Sequence, residues 1–310
     1  MGAILAVAQA SPPENLMTLV GAIAIGAALA SIGGQWAAMR FGEPLLEICA
    51  RWSCLLAISF GVAYLLYSMD ESMVGRRPPW SIISFLLIGC LLFDTIRTWV
   101  KVRGFSHQDT PLFPRYTRNE DTDEWPADST NIRLREWIQK NGYKQVEALH
   151  AYPFPELCIR EFHFDSSDET IRFSVNFIPR GLDTIYVTYS ASSISKEGDR
   201  YVTDNSLLPY GGCFPDKWKL VRRPLMRSPS RLLKRHEKRL VKSGKTFMPW
   251  LDLPLNDTKE QHRLLERTNE DRGILNPRPS WEQFGRFSQE GRYRMWKEIL
   301  LLKYFGVSAS

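Results

Sequence analysis

The chain has 310 residues, longer than one typical domain, and its mean hydropathy of -0.25 alone would describe a water-soluble protein. Apolar residues, however, gather before residue 103 and charged ones after it, which excludes a single uniformly solvated globule. The formal charge of +6 is concentrated in residues 217–245, where twelve residues are Lys or Arg; the five cysteines, none spaced as CxxC, exclude a disulfide framework and fit reduced thiols in a cytosol-facing domain.

In chain order, the first ten residues end in Ala8, Gln9 and Ala10 but lack a basic region and enough apolar length for a cleaved signal. The Met-Gly start has Ala6 where myristoylation needs Ser or Thr. Leu16 to Met39 then runs 24 residues without a charge, long enough for a helix to cross a hydrocarbon core of about 30 Å. Trp52 to Met69 adds 18 uncharged residues, with Trp52 at one end and Tyr64 and Tyr67 toward the other, as rings at two headgroup boundaries should be. Trp80 to Phe93 is too short alone, but continuing to Val100 makes a third span if Asp94 and Arg97 are tolerated. These two lie three apart on one helical face and can pair while Arg97, Lys101 and Arg103 reach the headgroups.

Lys and Arg in the flanks number two on one side (Arg40 and Arg51) and seven on the other (Arg76, Arg77, Arg97, Lys101, Arg103, Arg115 and Arg118). The positive-inside rule then predicts an outside N-terminus and a cytoplasmic C-terminal domain, in a multi-pass protein of the inner membrane. Ala22, Gly26, Ala30 and Gly34 recur every four residues in the first span, a small-residue stripe that would let another helix approach closely. Its expected partner is the second or third helix, with self-association as the rival.

Residues 104–130 carry Pro111, Pro114, Pro126 and the acids Glu120, Asp121, Asp123 and Glu124 without apolar periodicity, and are expected to form an extended tether. A helix capped by Ser129, Thr130 or Asn131 follows, with Ile132, Leu134, Trp137 and Ile138 on one face and Asn141 and Gly142 at its end. Cys158 to Asp165, Thr170 to Ile178 and Thr184 to Ala191 alternate in polarity and are joined by short turns, predicting an antiparallel meander with one buried face. Val146 to Ala151 and Asp199 to Thr203 are candidate flanking strands. Helices are then predicted from Ser228 to Gly244 and from Asn256 or Asp257 to Gly273, with a capping box at Ser280 and Gln283 and a last helix from Arg292 to Phe305 after an interruption at Gly291.

The most marked candidate surface is the predicted helix that follows Ser228. Arg231, Lys234, Arg235, Lys238, Arg239 and Lys242 surround a stripe of Leu232, Leu233, His236 and Leu240, with Glu237 its only acid. Such a helix suits docking on an anionic leaflet or a protein partner; plain packing through its leucines also explains it, and without a recognition motif nucleic acid is disfavoured. Glu161, His163 and Asp165 share one face of a strand, a set that could hold a metal or do acid-base work but that also suits a solvated face. Cys213, in the Gly-rich stretch from Pro209 to Pro215, would need His150 or His163 nearby to act as a nucleophile. Gly244, Lys245 and Thr246 imitate the end of a P-loop but follow a helix instead of opening one, and Asn256 to Thr258 forms a glycosylation sequon, which has no meaning in a cytoplasmic domain.

These residues predict a three-transmembrane-helix anchor over residues 1–103, an extended linker over 104–130 and a cytoplasmic α+β domain with a β-meander and C-terminal helices over 131–310. The expected role is an interaction, scaffolding or regulatory module with the lipid bilayer, a protein partner or a second copy as its contacts, and with no cofactor, metal or catalytic residue assigned. The alternative is a membrane-tethered enzyme acting on a membrane-proximal substrate.

Overall fold

A computed structural model describes residues 14–69, 78–108, 112–119, 125–154, 156–180 and 184–309. The first ten residues, Arg76, Arg77, Pro111, the acids Glu120, Asp121, Asp123 and Glu124, and Gly181 and Leu182 lie outside the described residues. The chain divides into two compact units, Met1–Lys101 with Lys303–Phe305, and Val102–Leu302 with Gly306–Ser310.

The first unit contains α1 (Glu14–Phe41), α2 (Pro44–Met69) and most of α3 (Pro79–Ser106), each long and apolar enough to cross a membrane. At about 1.5 Å per residue, all three exceed a core of about 30 Å. Gly42, at φ 63°, lets the chain reverse between α1 and α2. α2 starts earlier than its uncharged run, so Arg51 lies inside it and pairs with Glu47 one turn before. Val20, Ala63 and Ile83 are buried together, one from each helix, with Phe60 and Leu86 packed against them.

The α1 packing face is not the expected stripe. Buried and half-buried positions follow Val20, Ala24, Ala27, Ser31, Gly34 and Ala38, whereas Ala22, Gly26 and Ala30 are exposed. Of the two glycines in the stripe, Gly34 meets α2, where an added Cβ would come within 3.0 Å of the Ala50 Cβ, and Gly26 has nothing within 4 Å. The reason is helical phase. Each four-residue step overshoots a full turn by about 40°, so a strict repeat rotates off the seam, while alternating steps of three and four stay on it. Asp94, expected to pair with Arg97, instead accepts hydrogen bonds from Lys303 Nζ at 2.6 Å and the Tyr304 hydroxyl at 2.7 Å, within the first unit. Two donors from a remote stretch of sequence satisfy its carboxylate.

The second unit is built on a mixed sheet in the order β1 (Tyr116–Arg118), β2 (Lys144–Phe154), β3 (Leu157–Asp165), β4 (Arg172–Pro179), β5 (Ile185–Ser195), β6 (Arg200–Asp204) and β7 (Trp218–Arg222). All neighbours are antiparallel except β6 and β7, and β8 (Phe247–Met248) pairs with β5. The expected tether contributes to this fold. Tyr116–Arg118 is an edge strand on β2, and Trp125 is buried edge-on against Phe162 and Phe177. A three-residue strand and one anchoring ring leave no periodic trace, which is why the segment looks unstructured in sequence.

One sheet face carries Phe162, Phe164, Phe173, Val175 and Phe177, all at most 1% exposed. It is covered by α4 (Ser129–Lys140) through Leu134 and Ile138, and by α5 (Pro229–Ser243) through Leu232, Leu233 and Leu240. α4 is capped one residue earlier than expected, by Asp128, whose side chain accepts from the amides of Thr130 and Asn131. For α5, Ser228, Pro229 and a left-handed Gly244 (φ 65°) provide the start and stop.

The opposite face is covered by α6 (Pro254–Asp271), which begins before Asn256 because its cap is tertiary: the buried Glu147 of β2 accepts from the Leu255 amide at 2.9 Å. Arg278–Ser280 forms a 3-10 turn and Trp281–Phe284 the short α7; Ser280 makes no capping bond. The last helix, α8 (Gln289–Phe305), is capped by Ser288 and takes Gly291 into its first turn. That glycine is a contact and not an interruption, since a Cβ there would fall 2.2 Å from the Ile274 carbonyl oxygen.

Candidate functional site

The face that bears Glu161, His163 and Asp165 was expected to be wet, and the structure corrects this. His163 is 4% and Asp165 7% exposed, because Trp250 and α6 close over the row. Burial of polar groups has to be offset by partners, and most of these have them. Asp165 receives Nε and Nη2 of Arg172 at 2.8 and 2.9 Å, a bidentate pair. The Arg172 guanidinium lies 4.4 Å from the Trp250 ring centre, and that of Arg200, which pairs with Asp257 of α6, lies 5.0 Å from the same ring. Ser174 hydrogen-bonds His163 Nδ1 at 2.8 Å; His163 Nε2 is 3.6 Å from Glu161 Oε1 and has no hydrogen-bond partner among the described residues. Desolvation, reinforced by Arg172, holds the His163 pKa down near 3, so the imidazole is neutral. Desolvation pushes Glu161 up to about 7, despite hydrogen bonds from Tyr116 and Asn176. Asp165 is committed to Arg172, and among the described residues no three His, Cys, Asp or Glu side chains cluster as a metal site would need.

Tyr116 also forms part of the wall of a cleft of about 990 Å³ in the second unit. Residues 106–108 with 112–116, one side of α6, and the turn from Arg278 to Arg286 meet there. Five cationic side chains, Arg115, Lys259, Arg263, Arg278 and Arg286, face two carboxylates, Glu266 and Glu282. Two of the cations lie over the Trp281 ring, the Arg278 guanidinium 5.8 Å and that of Arg286 5.1 Å from its centre. His262 stacks on Phe113 with ring centres 4.7 Å apart, and burial lowers its pKa to about 4, so it offers a neutral hydrogen-bonding group. The turn is fixed to α3 by two bonds: the Arg286 amide donates to the Ser106 carbonyl at 2.8 Å, and the Phe287 amide to Ser106 Oγ at 3.0 Å. Gly285, at φ 76°, makes room, because a Cβ would sit 2.6 Å from Ser106 Oγ. None of these cations was singled out in the sequence; isolated Arg and Lys residues in three remote segments give no linear signal.

On α5, Arg231, Lys234, Arg235, Lys238 and Lys242 are exposed and have no ion pair among the described residues. Arg239 differs: it is half-buried and donates to the carbonyls of Val202 at 2.7 Å and Lys219 at 2.6 Å, so it holds the helix to the sheet. His236 is fully buried between Ser193 Oγ (3.1 Å) and Thr203 Oγ1 (3.0 Å), and burial lowers its pKa to about 3.

Cys213 has no histidine partner among the described residues. Arg294 Nη1 lies 3.1 Å from its sulfur, and its amide donates to Asn269 Oδ1. His150 instead bonds Thr117, and His163 bonds Ser174. The adjacent glycines serve packing: Gly211 (φ 64°) comes so near α8 that a Cβ would lie 2.6 Å from Met295 Cα, and its amide donates to the buried Glu298 at 2.8 Å.

Compared with protein-family models, with curated proteins and with solved structures, the chain has no match.

Proposed function

We propose that the chain is a membrane-anchored interaction module with an outside N-terminus and a cytoplasmic α+β unit that docks on the anionic inner leaflet through α5. One observation carries this reading. Five cations lie exposed on α5 without ion pairs among the described residues, while its leucines are used up in the core. A folded helix that keeps its basic face unneutralised gains about 1 kcal/mol for each cation brought to an anionic lipid surface. The uneven distribution of Lys and Arg around the apolar runs supports the orientation.

The test is hydrogen exchange on the full chain in nanodiscs with and without anionic lipid. Docking predicts slower exchange in α5 only when anionic lipid is present; equal exchange in both contradicts it.

The rival reading, a membrane-tethered enzyme, is favoured by one observation, the raised pKa of Glu161 beside the cleft wall. Against it, Glu161, His163 and Asp165 do not line the cleft, and Cys213 has no histidine partner among the described residues.

A further inference from the structure

We propose that the cleft between the end of α3, α6 and the turn at Trp281 holds the phosphate-bearing headgroup of an anionic membrane lipid. Its charge is unbalanced. Arg115 and Lys259 are exposed and have no ion pair among the described residues, and Arg278 only approaches Glu266, at 4.0 Å. Arg263 pairs with Glu260 at 3.7 Å, but both side chains are about 70% exposed, a setting in which such pairs contribute little. A phosphate can replace water around these groups with charge-assisted hydrogen bonds. Beside them, the Arg278 and Arg286 guanidinium groups lie over the Trp281 ring, a contact that helps to position their planar donor forks on the cleft wall.

Size and depth select a lipid over a small ion. About 990 Å³ is a volume typical of sites that hold whole small molecules. Ser106 follows the apolar stretch of α3 by six residues, about 9 Å along a helix, which corresponds to the headgroup layer outside the hydrocarbon core. Because the Arg286 and Phe287 amides bond to Ser106, the cationic turn is held at that helix end. The inference rests on reading α3 as a membrane span; it is independent of docking by α5.

The test uses the full chain in phosphatidylcholine nanodiscs and radiolabelled short-chain phosphatidic acid as the probe. Saturable binding that weakens about tenfold or more in an Arg115→Gln/Lys259→Gln variant, and not in Lys140→Gln at the exposed end of α4, is the expected result. Inorganic phosphate should compete only at far higher concentration. Arg278→Gln provides a second variant, expected to weaken binding in the same way. Absent binding, or binding indifferent to all cleft substitutions, overturns the proposal; so does displacement by inorganic phosphate as effective as by lipid, which would make the ligand a soluble phosphate. Failure of the chain to enter nanodiscs would contradict the span itself, whereas entry without binding contradicts only the cleft.

Discussion

The hydroxyl of Tyr116, on the cleft wall, donates a hydrogen bond to the carboxylate of Glu161, which lies buried on the sheet. An edge strand of three residues thus connects the cationic cleft with the row of buried titratable groups. The same contact limits how far burial can raise Glu161.

Glu161 should make stability fall as pH rises. Its folded pKa of about 7 lies above the ordinary 4.5, so the folded state keeps a proton that the unfolded chain releases. The contribution is complete below about pH 4.5 and lost as pH climbs through 7, about 3 kcal/mol in all. Glu161→Gln keeps the size and removes the titration. In thermal unfolding of the detergent-solubilised chain, the variant should gain stability over the parent at pH 8 and lose that advantage at pH 4.5; an advantage equal at both values would show that Glu161 does not titrate in this window.

His236 acts with the opposite sign. Its folded pKa, about 3 against 6.5, means that the stability it supports is full above 6.5 and drains away as pH falls toward 3. His163 and His262 push in the same direction. His236→Gln should cost about 1 kcal/mol at pH 8 through a weakened hydrogen bond, yet flatten the acid loss. An acid limb as steep as the parent's would assign that loss to other groups.

Gly291 reverses the usual helix rule. Ala in place of Gly inside a helix is ordinarily worth about 0.5–1 kcal/mol, but here the new Cβ would be driven into the Ile274 carbonyl. Gly291→Ala should therefore lower the melting temperature, while Gly26→Ala, with open space around it, should leave it unchanged or raise it. Equal effects of the two substitutions would refute the close approach.

How much of this was legible before folding depends on whether a signal was local. The apolar runs of α1 to α3 are local signals, and so are the alternation of Phe162, Phe164, Phe173, Val175 and Phe177 and the Ser228, Pro229 and Gly244 punctuation of α5; all are written in neighbouring residues. Tertiary partners were not. Glu147 caps α6 from another element, Lys303 satisfies Asp94 across most of the chain, and α6 turns what reads as the wet face of β3 into a buried one. The cleft was invisible for the same reason, because Arg115, Lys259 and Arg278 meet only after the sheet and its covering helices are assembled. The small-residue stripe is a third case: Ala22, Gly26 and Ala30 step by four and are exposed, whereas the buried seam of α1 alternates three and four, so of the two expected partners it is the intramolecular one that the seam sets aside.

Docking of α5 on the inner leaflet needs α1 to α3 threaded through a bilayer with the second unit on the cytoplasmic side, and the headgroup cleft needs the span of α3 alone. The most direct measurement fuses a dual reporter after Ser310 of the full chain in a bacterial host, pairing a fluorescent protein that matures only in the cytoplasm with a phosphatase active only outside it. Fluorescence in the membrane fraction with a silent phosphatase is the predicted result. An active phosphatase with no fluorescence would invert the topology, and fluorescence in the soluble fraction would remove the membrane altogether.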